Sequence, residues 1–220
     1  MPIKPWQFAK TRLGLRTGAR VALARALGHD LLAALAASRS VGRIVIVTAE
    51  LDVDVETLSR PVTVLRDRPL LAGDMLNPAV VQARCWISAA HGSDTPAVVV
   101  PSDIAALTPG CLDEVLATMG RWERAFVTDV CGSGTTLASA RRVGDLVPAH
   151  GVDSAARYES MGYVHVAEAD IRCRLDVDRI DDLVVAMELG TGARVRATVA
   201  EHRISLETRD RSSRLPAGVT

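Results

Sequence analysis

Aromatic residues are scarce, 3% of 220 positions, and the four cysteines, Cys85, Cys111, Cys131 and Cys173, form no Cys-x-x-Cys pair. A zinc ribbon and a dithiol redox motif both use that short spacing, so its lack argues against both. The thiols read as small buried apolar residues, reduced in a cytosol. No uninterrupted apolar run approaches the roughly 20 residues of a membrane helix. The opening MPIKPWQFAKTRLG lacks the apolar centre of a secretory signal. A surplus of one charge is missing too, with 26 Lys+Arg against 26 Asp+Glu. A general nucleic-acid binder needs a basic excess, so nucleic acid and membrane are both set aside as partners. The five histidines show no ligand-type spacing and suggest no catalytic histidine. Trp6, Trp86 and Trp122 read as packing residues.

What is present is the composition of a soluble cytoplasmic globular protein: 48% hydrophobic and 24% charged residues in 23.4 kDa. Residues 1–190 read as one domain. Residues 191–220 read as a mixed, charged C-terminal extension, partly disordered and frayed over about the last ten positions. Strands are expected at Arg43 to Thr48, Thr63 to Leu65, Ala97 to Val100, Ala125 to Thr128, Thr136 to Ala140 and Tyr163 to Ala167. Helices are expected over Gly18 to Ser38, Asn77 to Ala90, Thr108 to Met119 with Thr108 as cap, Ser154 to Ser160 capped by Ser154, and Ile180 to Leu189 capped by Asp178. Strands alternating with helices imply an α/β layer fold with a largely parallel sheet.

In such folds ligands gather beyond the carboxyl ends of strands. Asp103 stands there, three residues after Ala97–Val100, as a candidate Mg²⁺ ligand or a turn aspartate. Asp176 and Asp178 share one side of an extended segment, because strand side chains alternate. They are a second candidate metal pair, or Asp178 is only a helix cap. Gly132-Ser133-Gly134-Thr135-Thr136 is either a backbone cradle for an anion or a plain tight turn. It matches neither the Walker loop nor the dinucleotide fingerprint. Gly151 and Ser154 open a helix N-terminus able to hold a phosphate or carboxylate, with Arg157 one turn on. Lys4, Lys10 and Arg12 concentrate charge near the start, and Lys4 and Lys10 are the only two lysines. They neutralise a polyphosphate or form a solvated terminus.

Together these segments resemble the 2-phospho-L-lactate / phosphoenolpyruvate guanylyltransferase family of coenzyme F-420 biosynthesis, in order from about Pro2 to Leu189. The carriers are Ile3-Lys4-Pro5 with Ala9-Lys10-Thr11-Arg12-Leu13, Leu76-Asn77, Val100-Pro101-Ser102-Asp103-Ile104, Gly132 to Thr135, Gly151 with Ser154-Ala155-Ala156-Arg157, and Leu175-Asp176-Val177-Asp178. The resemblance implies a nucleotidyltransferase-like three-layer α/β sandwich with a mostly parallel central sheet. It implies transfer of GMP from GTP to a small phospho-acid, with Mg²⁺ held by Asp103, Asp176 and Asp178. Thr135 or Thr136, Gly151 and Ser154 would hold the acceptor. Lys4, Lys10 and Arg12 would meet the GTP phosphates, and Asn77 would lie near the nucleoside. Lys4, Lys10 and Asp103 would carry the catalysis.

The acceptor favoured is phosphoenolpyruvate, given a composition typical of a high-GC bacterial genome; 2-phospho-L-lactate and 3-phosphoglycerate stay open, as does a homodimer. The sequence departs from the family at His150 (usually Phe), Val152 (Pro), Tyr158 (His) and Arg179 (Thr), and the first strand is nearly absent. The competing readings are a sugar-nucleotide or molybdenum-cofactor-type nucleotidyltransferase, a metal-dependent glycosyltransferase and a non-catalytic binding homologue.

Overall fold

The structure is a computed structural model that describes residues 1–67 and 76–206. Its elements, in chain order, are β1 (Pro2–Ile3), α1 (Thr17–Ala37), β2 (Ile44–Thr48), β3 (Val62–Arg66), α2 (Leu76–His91), β4 (Ala97–Val99), α3 (Pro109–Met119), β5 (Arg124–Thr128), β6 (Thr135–Ala140), α4 (Ser154–Ser160), β7 (Val164–His165), α5 (Ile171–Arg174), α6 (Ile180–Leu189) and α7 (Ala193–Glu201). Two 3₁₀ turns, Trp6–Phe8 and Thr11–Leu13, join β1 to α1.

The strands form two sheets. In the first, β1, β2 and β3 lie side by side, all parallel. In the second the order is β4-β6-β5-β7, with β6 antiparallel to β4 and β5 and β7 parallel to β5. The antiparallel step follows from the connection: six residues between Thr128 and Thr135 make a hairpin, whereas a parallel crossover needs a dozen or more. Side-chain alternation builds the layers. Ala125, Val127 and Leu137 enter one core with Leu31, Leu35, Leu112 and Val115 of α1 and α3. Phe126 and Ala138, one residue out of phase, pack with Ala155, Tyr158 and Tyr163 on the other face. Helices therefore cover both faces, as the α/β sandwich reading requires.

β1 is two residues long, in keeping with the near-absent first strand. The Met1 ammonium donates to the Val45 carbonyl at 2.8 Å, and burial pushes its pKa down to about 5. α1 buries Leu23, Leu27, Leu31 and Leu35 at four-residue spacing, and Gly28 lets the Trp6 ring approach to where a Cβ would sit 2.8 Å from it. Thr108 caps α3 as expected, accepting from the Cys111 N–H at 3.2 Å.

Three expectations change. Ser154 is the first residue of α4 and not its cap; Asp153, in the left-handed region at φ 54, precedes it. The stretch after Gly190 forms α7, which packs Val195 and Val199 against Leu23 and Leu27 of α1. Only Cys173 among the cysteines is buried, while Cys85 and Cys131 are exposed and all four are free thiols. The expected frayed tail lies outside the described residues. No helix among the described residues is long and apolar enough to cross a membrane.

Candidate functional site

Parallel pairing puts the carboxyl ends of β1, β2 and β3 on one edge. The antiparallel register of β4 with β6 (Val99 beside Ala138, Ala97 beside Ala140) brings the start of β6 to the same edge as the end of β4. Lys4, Asp67, Asp103 and Thr135 all follow or begin strands at these edges. A cavity of about 310 Å³ opens there, lined by Lys4, Phe8, Lys10, Arg12, Asp67, Ser102, Asp103 and Asp178, with Pro2, Ile3, Val47, Leu76, Ala79 and Pro101 as its apolar wall.

Lys10 reaches this site from a constrained backbone. It lies in the left-handed region at φ 58 between the two 3₁₀ turns. The buried Arg20 guanidinium donates to the Gln7 carbonyl at 2.8 Å and to the Ala9 carbonyl, fixing the approach. Lys10 Nζ donates to Asp103 Oδ2 at 2.8 Å and to Asp178 Oδ1 at 3.0 Å, and Arg12 meets Asp178 at 3.4 Å. The Val177 N–H donates to the Asp103 carbonyl at 3.1 Å, which staples the Asp176–Asp178 segment to the end of β4. Val177 is fully buried, so Asp176 and Asp178 turn the other way. The cap reading of Asp178 is corrected: Asp182 accepts from the N–H groups of Asp178 and Arg179 at 2.9 and 2.7 Å. Arg179 is the N-cap residue, and the Asp178 carboxylate stays in the site.

Donor oxygens of Asp103, Asp176 and Asp178 lie within 4.8 Å of one another. Burial, then the charges of Asp103 and Asp178, push Asp176 up to about 7. Burial acts against the charged forms of Lys10 and Asp178, yet their attraction prevails, so Lys10 is held above its ordinary value and Asp178 below. Asp103 Oδ1 is buried and has no hydrogen-bond partner among the described residues. A crowd of carboxylate oxygens, one of them unsatisfied, fits a hard divalent cation such as Mg²⁺.

The glycine-rich turn is organised by Asp129. The Ser133 N–H donates to its Oδ1 at 3.1 Å and the Gly132 N–H to its carbonyl at 3.2 Å. A Cβ on Gly134 would stand 2.4 Å from Asp129 Oδ2, so glycine is required for that close approach. These N–H groups are committed to the turn, so of the two readings the tight turn describes the structure. The N-terminus of α4 is also partly engaged: the Ser154 N–H bonds to the Gly151 carbonyl and the Ala155 N–H to the Ser133 carbonyl, each at 3.1 Å.

What does meet is a pair of hydroxyls, Ser154 Oγ donating to Thr135 Oγ1 at 2.9 Å. Thr136, one residue on, faces the opposite side, buried, with its hydroxyl on the Val127 carbonyl at 3.4 Å. Arg157 donates to the carbonyls of Ala149 and Val152. Asn77 exchanges two hydrogen bonds with the backbone of His150, at 3.0 and 2.9 Å. Arg157 and Asn77 thus shape the loop that carries Gly151, which has φ 124. Two of the family departures prove to be one: Tyr158 Oη and His150 Nδ1 lie 2.9 Å apart. The two rings also meet edge to face, with centroids 5.5 Å apart.

Sequence reasoning missed Asp67 and Phe8 as cavity residues. Asp67 carried a readable signal, an acid three residues after a β-branched run that ends at Val64, as Asp103 follows Val100. Phe8 carried none.

No family model matches the chain. Among curated proteins it is similar to the phosphoenolpyruvate guanylyltransferase of Streptomyces coelicolor, 34% identical over 203 residues covering 91% of this chain and 94% of that one. It is also similar to phosphoenolpyruvate guanylyltransferase 2 of Rhodococcus jostii, 34% identical over 192 residues, with 87% and 85% covered. A third, from Nocardia farcinica, is 34% identical over 203 residues, with 90% and 88% covered. Among solved structures, one named as a nucleotide-diphospho-sugar transferase of Desulfovibrio desulfuricans G20 shares the fold, with a TM-score of 0.64 at 17% identity over 92% of this chain and 93% of that one. At that coverage and identity to its curated relatives, the chain belongs to the phosphoenolpyruvate guanylyltransferase family of nucleotidyltransferases.

Proposed function

We propose that the protein transfers GMP from GTP to the phosphate of phosphoenolpyruvate, releasing pyrophosphate, as a cytoplasmic step of coenzyme F-420 biosynthesis. The observation that supports this most directly is the convergence of Lys10, Asp103, Asp176 and Asp178 beside a cavity at the strand ends. The relatives' names support the choice of nucleotide and acceptor.

The acceptor phosphate is already anionic near neutral pH, so no protein nucleophile is needed. One of its oxygens attacks the α-phosphorus of GTP in line. A new P–O bond forms, the bond to the α,β-bridging oxygen breaks, and that electron pair leaves with pyrophosphate. Lys4, Lys10 and Arg12 hold the polyphosphate, with Lys10 trading a carboxylate oxygen for a phosphate oxygen. Asp103, Asp176 and Asp178 are the residues that would hold Mg²⁺, which when bound supplies charge neutralisation at the phosphate oxygens. The Thr135 and Ser154 hydroxyls, with the backbone at Gly151, take the acceptor; Asn77 and Arg157 keep that loop in shape. The residues given these roles all lie within 1–190, the expected transferase domain, and α7 packs onto it through Val195 and Val199.

The test is incubation with GTP, Mg²⁺ and, separately, phosphoenolpyruvate, 2-phospho-L-lactate and 3-phosphoglycerate, with mass spectrometry of the products. Enolpyruvyl-diphospho-guanosine and pyrophosphate are expected. A folded protein that binds GTP yet releases no pyrophosphate with any of the three acids would overturn the proposal.

A further inference from the structure

We infer that Arg174 is a positioning residue: its guanidinium ties the hairpin that carries Thr135 to the segment that carries Asp176 and Asp178, setting the acceptor site against the acidic cluster; this rests on the guanylyl-transfer reading above. Arg174 is the last residue of α5 and stands two residues before Asp176. Its neighbours Cys173 and Leu175 are both buried, Cys173 in the core that holds Val127 and Leu137, so its backbone is fixed. The half-buried side chain reaches the end of β5. Nε donates to the Thr128 carbonyl at 3.4 Å, and Nη2 donates to the Thr128 hydroxyl at 3.4 Å and to the Asp129 carbonyl at 3.0 Å.

Those partners lead to the acceptor hydroxyls. Thr128 faces Thr135 in the β5–β6 register, and the ladder is irregular between Val127 and Thr128, so strand pairing alone does not fix Thr135. The Asp129 carboxylate holds the turn between them, and the Asp129 N–H donates to the Gly134 carbonyl at 3.2 Å, one residue before Thr135. On the other side, the Val177 N–H staples the acidic segment to the Asp103 carbonyl. Arg174 thus links that stapled segment to the hairpin. A guanidinium suits the task because its rigid fork engages two successive carbonyls, whereas an ammonium is a single point of charge. Transfer needs the acceptor oxygen in line with the α-phosphorus, and a misplacement of about 1 Å costs about a hundredfold in rate.

The test uses the full chain with Mg²⁺ and compares wild type, Arg174→Ala and Arg174→Lys. Calorimetry gives the affinities for GTP and phosphoenolpyruvate, and pyrophosphate release gives kcat and KM. In Arg174→Ala the affinity for phosphoenolpyruvate should fall about tenfold, the scale of one hydrogen bond from a charged group, and kcat should fall as well. GTP affinity should stay within about twofold. Millimolar guanidinium chloride should restore part of the lost kcat/KM to Arg174→Ala, and the same concentration of sodium chloride should not. Arg174→Lys keeps the charge without the fork and should stay closer to Arg174→Ala than to wild type.

Unchanged phosphoenolpyruvate affinity and kcat in Arg174→Ala overturn the assignment. An equal loss of GTP affinity, the mark of a general defect in the fold, overturns it too. So does full activity in Arg174→Lys, which would make charge alone sufficient, and so does equal rescue by sodium chloride. If Arg174→Ala does not fold by circular dichroism, Arg174→Lys and Arg174→Gln decide on the same readouts. Wild type that binds GTP yet releases no pyrophosphate with any of the three acids removes guanylyl transfer, and this role with it. An active wild type whose Arg174 variants match it in both readouts removes Arg174 only.

Discussion

Lys10 keeps its charge in an enclosed position because Asp103 and Asp178 flank it, and Asp178 keeps its own because of Lys10. Taking away one member leaves the others uncompensated. In Lys10→Ala we expect a lower Tm, with a cost somewhat below the about 3–5 kcal/mol of a fully buried pair, since Asp178 is half-exposed. Mg²⁺ should raise the Tm of this variant more than that of wild type, because a cation then answers three carboxylates instead of competing with an ammonium. Scanning fluorimetry with and without Mg²⁺ reads this; an equal Mg²⁺ response in both proteins would count against the cluster as a cation site. Asp103→Asn should fold, as judged by circular dichroism, and lose pyrophosphate release. The acids of this cluster were legible as residue types at strand ends. That Asp178 stays in the site was not, because the cap is taken by Asp182, four residues on. The His150–Tyr158 contact was likewise visible only as two unrelated departures.

Single elements were legible where a local pattern decides them. The β-branched runs gave β2 and β4, and the Thr108-Pro109 start gave α3. α7 was not legible: its sequence, ARVRATVAE, offers only Val195 and Val199 as buried positions. Its fixing point is remote. Asp30 of α1 accepts from the N–H groups of Arg194 and Val195 at 3.2 and 2.9 Å, capping α7 from another helix. Gly192 makes room for that carboxylate, since a Cβ there would fall 2.1 Å from Asp30 Cγ. Gly192→Ala should therefore cost about 1–2 kcal/mol in denaturant unfolding, the scale of a lost cap, and a neutral result would detach α7 from Asp30. The end of α1 is tied by Asp113, which accepts from Ser38 Oγ at 2.6 Å and from the N–H groups of Ser40 and Arg39 at 2.9 and 3.2 Å. These bonds, Ser38 first, hold the Asp113 carboxyl well below the ordinary carboxylate range. A depressed carboxyl stabilises the fold above its unfolded pKa of about 4, and that contribution is lost as pH falls toward the folded value. The Tm gap between wild type and Asp113→Ala should be constant from pH 8 to 5 and close toward pH 2; a gap unaffected by acid would mean that the ionised carboxylate is not what ties α1 to α3.

At the scale of the whole molecule, the two sheets divide the proposed work. The parallel sheet carries Lys4 and Asp67 at its strand ends, beside the cavity. The mixed sheet carries Thr135 at the start of β6, where α4 brings Ser154 to it. One core, with Ile46 from the first sheet and Val127 and Leu137 from the second, holds the halves in fixed relation. The antiparallel β6 is what places Thr135 at this edge, and a largely parallel reading of the strands hides that until the hairpin length is weighed. Because Lys4 and Ser154 share no hydrogen-bond or ion-pair partner among the described residues, their effects on ground-state binding should be independent. Ser154→Ala should raise the phosphoenolpyruvate concentration needed for half-maximal rate severalfold and leave GTP affinity by calorimetry unchanged. Lys4→Ala should do the reverse. In the double variant the two losses should multiply within about twofold. A Ser154→Ala protein that loses GTP affinity as much as acceptor affinity would show that the two halves hold a single ligand, and the division by sheet would fall.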